Sequence, residues 1–145
     1  MYRRILVPTD GTELASRAID LALGLATLAR GTLIAVHAGA PPFLLAPEVG
    51  FGAPLQDAWV REREQLAHDG LSYVRRCAGE AGVACQTILV RNDAPWQAII
   101  DTARDQACDL IVMASHGRGG LARRLIGSET AKVLTHSAIP VLVVR

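Results

Sequence analysis

The fold is decided by Asp109-Leu110-Ile111-Val112-Met113-Ala114-Ser115-His116-Gly117, followed after nine residues by Gly127-Ser128-Glu129-Thr130. Leu110–Met113 is a continuous apolar run, the pattern of a strand covered on both faces. Ser128-Glu129-Thr130-Ala131 opens a helical pattern with a hydroxyl and a carboxylate in its first turn. The segment therefore runs from strand through a glycine-bearing loop to a helix N-terminus. Such a turn aims backbone N–H groups and the positive end of a helix dipole at one place, which suits phosphate. The G-x-G-x-x-G dinucleotide fingerprint is absent after the first strand, and no Lys precedes Ser128 as a Walker loop requires. Glycines at 117, 119, 120 and 127 permit close backbone approach and positive φ.

Working outward, strand-like and helix-like segments alternate. Arg4–Pro8 reads as a buried first strand, and Thr9-Asp10-Gly11-Thr12 as a turn with helix-capping residues before Glu13. Ala15, Ala18, Ile19, Ala22, Ala26 and Ala29 recur at helical spacing, and Gly31 is expected to end that helix. Thr32–Ala38 is a second strand. Residues 39–54 carry four prolines and three glycines, so they predict a long irregular loop, unusual in holding Phe43, Leu44, Leu45 and Phe51. A long amphipathic helix follows, with Leu55, Trp59, Leu66, Val74, Cys77 and Ala81 on its core face. Val83–Val90 is a third strand, and a helix starts at Ala94 or Pro95 with Trp96, Ile99, Ile100, Ala103 and Ala107 facing inward. The Asp109–Met113 strand, a helix over Ser128–His136 and a terminal strand Pro140–Val144 complete the chain.

Strands separated by helices predict parallel βαβ units in a doubly wound α/β sheet with right-handed crossovers. If the order is 3-2-1-4-5, the winding direction reverses between the first strand and the fourth, where ligands bind in such sheets. The loops meeting there are Pro8-Thr9-Asp10 and Ala114–Gly117, which would bring Asp10 and the glycine loop to one crevice.

Composition sets bounds. The chain has 145 residues, the size of one domain, with 50% hydrophobic but only 4% aromatic residues. Its core must be aliphatic. A formal net charge of +1 supplies no global field to recruit nucleic acid or an anionic membrane. No apolar run approaches the roughly 20 residues of a membrane span, and the N-terminus carries no signal-like segment. Three cysteines at 77, 85 and 108, without C-x-x-C spacing, read as reduced thiols of a cytoplasmic protein rather than a disulfide framework or metal site. His37, His68 and His136 lack metal-ligand spacing. His116 reads as a loop or binding histidine, since no nucleophile or orienting carboxylate accompanies it.

These residues carry a resemblance over the whole length. Ile5-Leu6-Val7-Pro8-Thr9-Asp10, Val36-His37, Pro95 with Ile99 and Ala103, Asp109 through Gly117, Gly127-Ser128 and Ile139–Val144 together resemble the universal stress protein family. The resemblance implies a five-stranded, Rossmann-like parallel sheet in one domain over 1–145, and a homodimer joined through the last strand. It also implies ATP bound at Gly-x-x-Gly, nine residues, Gly-Ser/Thr. The chain matches at Gly117, Gly127 and Ser128 but has Ala114 at the first glycine, which in the family lies against the ribose. By resemblance, Pro8, Thr9 and Asp10 lie by the adenosine, Ala38 lines the adenine pocket, and Met113 and Ala114 flank the sugar. Gly117, Gly127, Ser128, Glu129 and Thr130 surround the phosphates, with Arg118 and His116 beside them and magnesium bridging phosphate oxygens. The expected role is a stress-response, ATP-binding regulatory module with little or no hydrolysis; the alternative is a nucleotide-independent interaction module of the same fold.

Overall fold

A computed structural model describes residues 1–42, 52–116 and 126–145. Its elements are β1 (Arg4–Pro8), α1 (Glu13–Ala29), β2 (Thr32–Gly39), α2 (Ala53–Glu80), β3 (Ala84–Arg91), α3 (Pro95–Asp105), β4 (Leu110–Ala114), α4 (Ser128–His136) and β5 (Val141–Val144). The five strands form one parallel sheet in the order β3-β2-β1-β4-β5. The doubly wound arrangement expected from the alternation of elements is therefore present.

Period-two alternation divides the strands between two cores. Ile5, Val7, Leu33, Ala35, Leu110 and Val112 meet Ala18, Ile19 and Ala22 of α1 and Leu71, Val74 and Ala78 of α2. Leu6, Ile34, Val36, Ile111 and Met113 point the other way, onto Ile99 and Ala103 of α3 and Val133 of α4. Both faces of the central strands β1 and β4 are covered, which explains their unbroken apolar runs. At roughly 25 cal/mol per Å² of apolar surface, this burial is the main favourable term. The small Ala stripe of α1 lets that helix lie close to the sheet.

Several local expectations are corrected. In α2 the buried residues are Ala67, Leu71, Val74 and Ala78, whereas Leu55 is 58% and Leu66 39% exposed. Trp59 and Cys77 are half-buried and Ala81 lies beyond the helix end. Twenty-eight helical residues span about 42 Å, but a neighbouring strand of eight covers only about 26 Å. The first half of α2 therefore overruns the sheet and has less to pack against. At the end of α1 the left-handed residue is Arg30, φ 51°, not Gly31. Arg30 N–H bonds to the Thr27 carbonyl and Gly31 N–H to that of Ala26, the paired bonds of a Schellman motif. Gly31 is needed for a different reason: a Cβ there would lie 2.6 Å from the Arg3 carbonyl oxygen. Ala107, expected on the core face of α3, is instead exposed past its end with φ 49°. Of the loop expected over 39–54, Gly39 ends β2 and Ala53 and Pro54 start α2; residues 43–51 lie outside the described residues.

Candidate functional site

The carboxyl ends of β1 and β4 lie side by side where the winding reverses. After Pro8, Thr9 continues the ladder by donating its N–H to the Val36 carbonyl at 2.9 Å. The Thr9 carbonyl meets His37 Nδ1 at 3.1 Å. Asp10 accepts the N–H of Thr12 at 3.0 Å and its hydroxyl at 2.6 Å through one carboxylate oxygen. Thr12 is the N-cap of α1, its Oγ1 accepting from Ala15 N–H at 3.3 Å. Asp10 thus orients the cap from two residues upstream and does not itself cap the helix.

On the β4 side the chain leaves Met113 and Ala114, passes Ser115 and His116, and re-enters at Gly127. Gly127 N–H donates to the Ser115 carbonyl at 2.7 Å, which pins the start of α4 to the end of β4. The approach is tight: a Cβ at 127 would stand 3.1 Å from His116 Cα, so a side chain there would need its neighbours to give by a few tenths of an ångström. Gly127 is the N-cap of α4 and brings no side chain to its first N–H groups. Thr130 Oγ1 donates to the Ala114 carbonyl at 2.9 Å. Its proton is committed there, so toward an anion Thr130 offers its main-chain N–H. Ser115 Oγ and His116 Nδ1 stand 3.1 Å apart. Thr9, Ser115 and Thr130 are three of the four buried polar residues among those described, and no buried side-chain polar atom among those described is unsatisfied. A polar network buried and satisfied in this way holds one geometry.

Between these turns lies a cavity of about 390 Å³, within the range usual for small-molecule pockets. It is lined by Pro8, Thr9, Asp10, Ala38, Met113, Ala114, His116, Gly127, Ser128, Glu129 and Thr130, with Ala15, Pro95 and Ile99 added from α1 and α3. The residues singled out from the sequence are thus brought to one crevice, except Gly117 and Arg118, which lie outside the described residues, as do Gly119, Gly120, Arg123 and Arg124. Ala15, Pro95 and Ile99 read in the sequence as helix and core positions. The signal that finds them is topological: in parallel βαβ units every helix begins at the carboxyl ends of the strands, so the first turns of α1, α3 and α4 all face the crevice.

The cavity lining combines apolar residues (Pro8, Ala38, Pro95, Ile99, Met113) with the first turn of α4, whose glycine N-cap offers no side chain. That pairing suits a flat hydrophobic ring joined to an anion. The cysteines take no part. Cys108 is buried at the amino-terminal end of β4, where Asp109 N–H bonds to the Arg4 carbonyl. Burial pushes its thiol up to about 11, with the Arg4 guanidinium partly offsetting and the Asp109 carboxylate adding to the rise. Burial likewise raises Cys85, against a lowering by Arg75. Neither is an activated nucleophile.

Comparison with known proteins places this geometry in context. The model of the universal stress protein family matches residues 1–145. A universal stress protein of Methanocaldococcus jannaschii, MJ0531, is 31% identical over 149 aligned residues, covering 100% of this chain and 83% of the relative. The solved structure of MJ0577, from the same organism, superposes with a TM-score of 0.83 at 28% identity, covering 99% of this chain and 96% of the other. A universal stress protein solved in complex with cAMP superposes at 0.69 with 27% identity, covering 99% and 97%. With its sheet order, its crevice and a match from first residue to last, the chain belongs to the universal stress protein family.

Proposed function

We propose that the chain is a regulatory module that binds an adenine nucleotide, ATP with magnesium in the cell, and hydrolyses it slowly or not at all. The observation carrying this reading is the convergence of the Thr9–Asp10 turn and the uncapped N-terminus of α4 on one cavity. The adenine ring packs against Ala38, Pro95, Ile99 and Met113. The ribose lies toward Asp10 and Ala114. The phosphates meet the N–H groups of Ser128, Glu129 and Thr130 and the Ser128 hydroxyl, favoured by the helix dipole. Gly117 and Arg118, outside the described residues, are assigned to the phosphates by the family resemblance alone, and magnesium, when bound, would neutralise part of the phosphate charge. The relative solved with cAMP supports an adenine nucleotide as the ligand class. His116 acts as a binding residue: its Nδ1 is occupied by Ser115, and no hydrogen bond to a carboxylate among the described residues orients it as a general base.

Occupancy of the cavity would be relayed through a homodimer formed along β5. This strand is an edge of the sheet, its residues partly exposed, and pairing with a second copy across a two-fold would cover it.

The test is to denature freshly purified protein, identify any released nucleotide, and titrate the emptied protein with ATP and magnesium by calorimetry. Saturable binding below millimolar ATP is expected. Absence of heat at millimolar ATP, and of any released nucleotide, overturns the reading. It would favour a nucleotide-independent interaction module, for which Ala114 at the first motif glycine is the specific pointer.

A further inference from the structure

The carboxylate of Glu129 is the odd group in a cavity wall assigned to an anion. It sits in the first turn of α4, yet its Oε2 accepts the N–H of Trp96, in the first turn of α3, at 2.9 Å. Its Oε1 accepts from Lys132 Nζ at 3.1 Å. Among the described residues no other side chain takes a helical N–H at the start of α3: Asn92 Oδ1 accepts only the N–H of the N-cap Ala94, at 2.8 Å, Ala94 has no side-chain acceptor, and Pro95 has no N–H to satisfy. Two helix N-termini therefore converge on the cavity, and one carboxylate lies between their positive ends. Pro95 and Ile99 of α3 and Gly127 to Thr130 of the α4 start all line that cavity.

We propose that Glu129 is a positioning residue that clamps the first turn of α3 to the first turn of α4, so that the wall for the base and the turn for the phosphates behave as one rigid unit. The proposal deepens the nucleotide-binding reading and rests on it. Glu129 touches the ligand through its main-chain N–H alone; its side chain acts through Trp96. The carboxylate also fills part of the positive potential at the end of α4, so its charge and its clamp have opposite effects on a phosphate ligand. Its negative charge opposes the anion, whereas its hydrogen bond shapes the site for base and sugar.

Glu129→Ala and Glu129→Gln separate these effects, read with adenosine and with ATP–magnesium by calorimetry and with amide exchange at Trp96 in the ligand-free protein. In Glu129→Ala adenosine is expected to weaken roughly five- to tenfold, the worth of one charge-assisted hydrogen bond reduced for partial exposure, and ATP by less, because losing the negative charge offsets part of the lost clamp. Exchange at Trp96 should accelerate. Glu129→Gln keeps an acceptor for Trp96, so adenosine affinity and Trp96 protection should stay near wild type while ATP binds as well or better. The proposal is overturned if Glu129→Ala leaves adenosine binding and Trp96 exchange unchanged, or if it only tightens ATP, the outcome of a purely electrostatic role. Wild-type protein that binds neither ligand overturns the nucleotide reading. In that case the Trp96 exchange of the two variants still decides whether the clamp between α3 and α4 exists.

Discussion

Gly127→Ala isolates the contact on which the anion seat depends. The native φ and ψ at 127, −61° and 153°, are open to alanine, so no backbone strain is introduced. The perturbation is steric. The added methyl would stand 3.1 Å from His116 Cα, 3.3 Å from its Cβ and 3.4 Å from the Ser115 carbonyl oxygen. Two of these three neighbours are main-chain atoms, held by the 2.7 Å bond from Gly127 N–H to Ser115. Relief thus requires the start of α4 to move off β4 by a few tenths of an ångström. Overpacking of this kind costs about 1–3 kcal/mol, and the low end applies because one side of the contact is a helix terminus. Alanine is also a poorer N-cap than glycine. A loss of about 1–2 kcal/mol lowers Tm by roughly 3–6 °C in a domain this size. The same displacement shifts the N–H groups of Ser128, Glu129 and Thr130 relative to the phosphates, so ATP should weaken at least about tenfold, since 1.4 kcal/mol is a factor of ten. Adenosine, which has no phosphates to rest on this turn, should change by less than about threefold. Calorimetry with both ligands and a thermal melt of the empty protein check this. A variant that melts lower but binds ATP as wild type does would refute the reasoning, because the phosphates would then not rest on this turn.

Three further outcomes are expected. Ala114→Gly should tighten ATP about fivefold if its methyl crowds the sugar, at a cost of roughly 0.5–1 kcal/mol for glycine in a strand; unchanged affinity in calorimetry would reject the methyl as the obstacle. The folded state holds the Cys108 proton up to a pKa of about 11, against 9.0 for an unperturbed thiol. The Cys108 contribution is therefore fully present below pH 9 and lost as pH rises through 9 to 11, because there the unfolded chain has released a proton that the folded chain keeps. The denaturation midpoint of wild type should fall more steeply across that window than that of Cys108→Ala, and equal slopes would contradict the burial argument. Leu142, 38% exposed on the edge strand β5, should convert dimer to monomer when changed to Arg; light scattering that finds the wild type strictly monomeric would remove the dimer proposal.

How far the fold and site were legible follows from where each signal resides. The turns at the carboxyl ends of β1 and β4 were readable because their residues act locally. Thr12 caps whatever helix follows it, and Gly127 marks a close approach whatever surrounds it. The unbroken apolar runs of β1 and β4 were equally direct, since a strand covered on both faces has no polar side. Boundaries shifted by a residue where a neighbour outside the segment decided the hydrogen bonding. Val83 N–H bonds back to Ala78 and so closes α2 rather than opening β3. Pro140 accepts from Ile111 but has no N–H to give, so β5 begins at Val141. The face of α2 was misread because apolar periodicity cannot show how far a sheet extends beneath a helix. Leu55 and Leu66 repeat correctly but lie on the half that overruns the strands.

The site itself is the least local feature, and an account of helix N-termini explains it best. Every helix must place its first N–H groups somewhere. In α1 Thr12 takes one, and in α3 Glu129 reaches across from α4 to take another. The turn before α2 accepts from Leu55 and Gln56 through the Gly52 carbonyl, at a helix start exposed to solvent. Among the described residues, α4 alone combines a glycine cap, no capping side chain and a position on the wall of the central cavity. Ser or Asp at such an N-cap would gain only a few tenths of a kcal/mol over Gly. Here a side chain at 127 would stand 3.1 Å from His116 Cα and could be fitted only by moving the helix start off β4. The glycine that keeps the helix start against the end of β4 also brings no side chain to its N–H groups, which is what the proposed phosphate site needs.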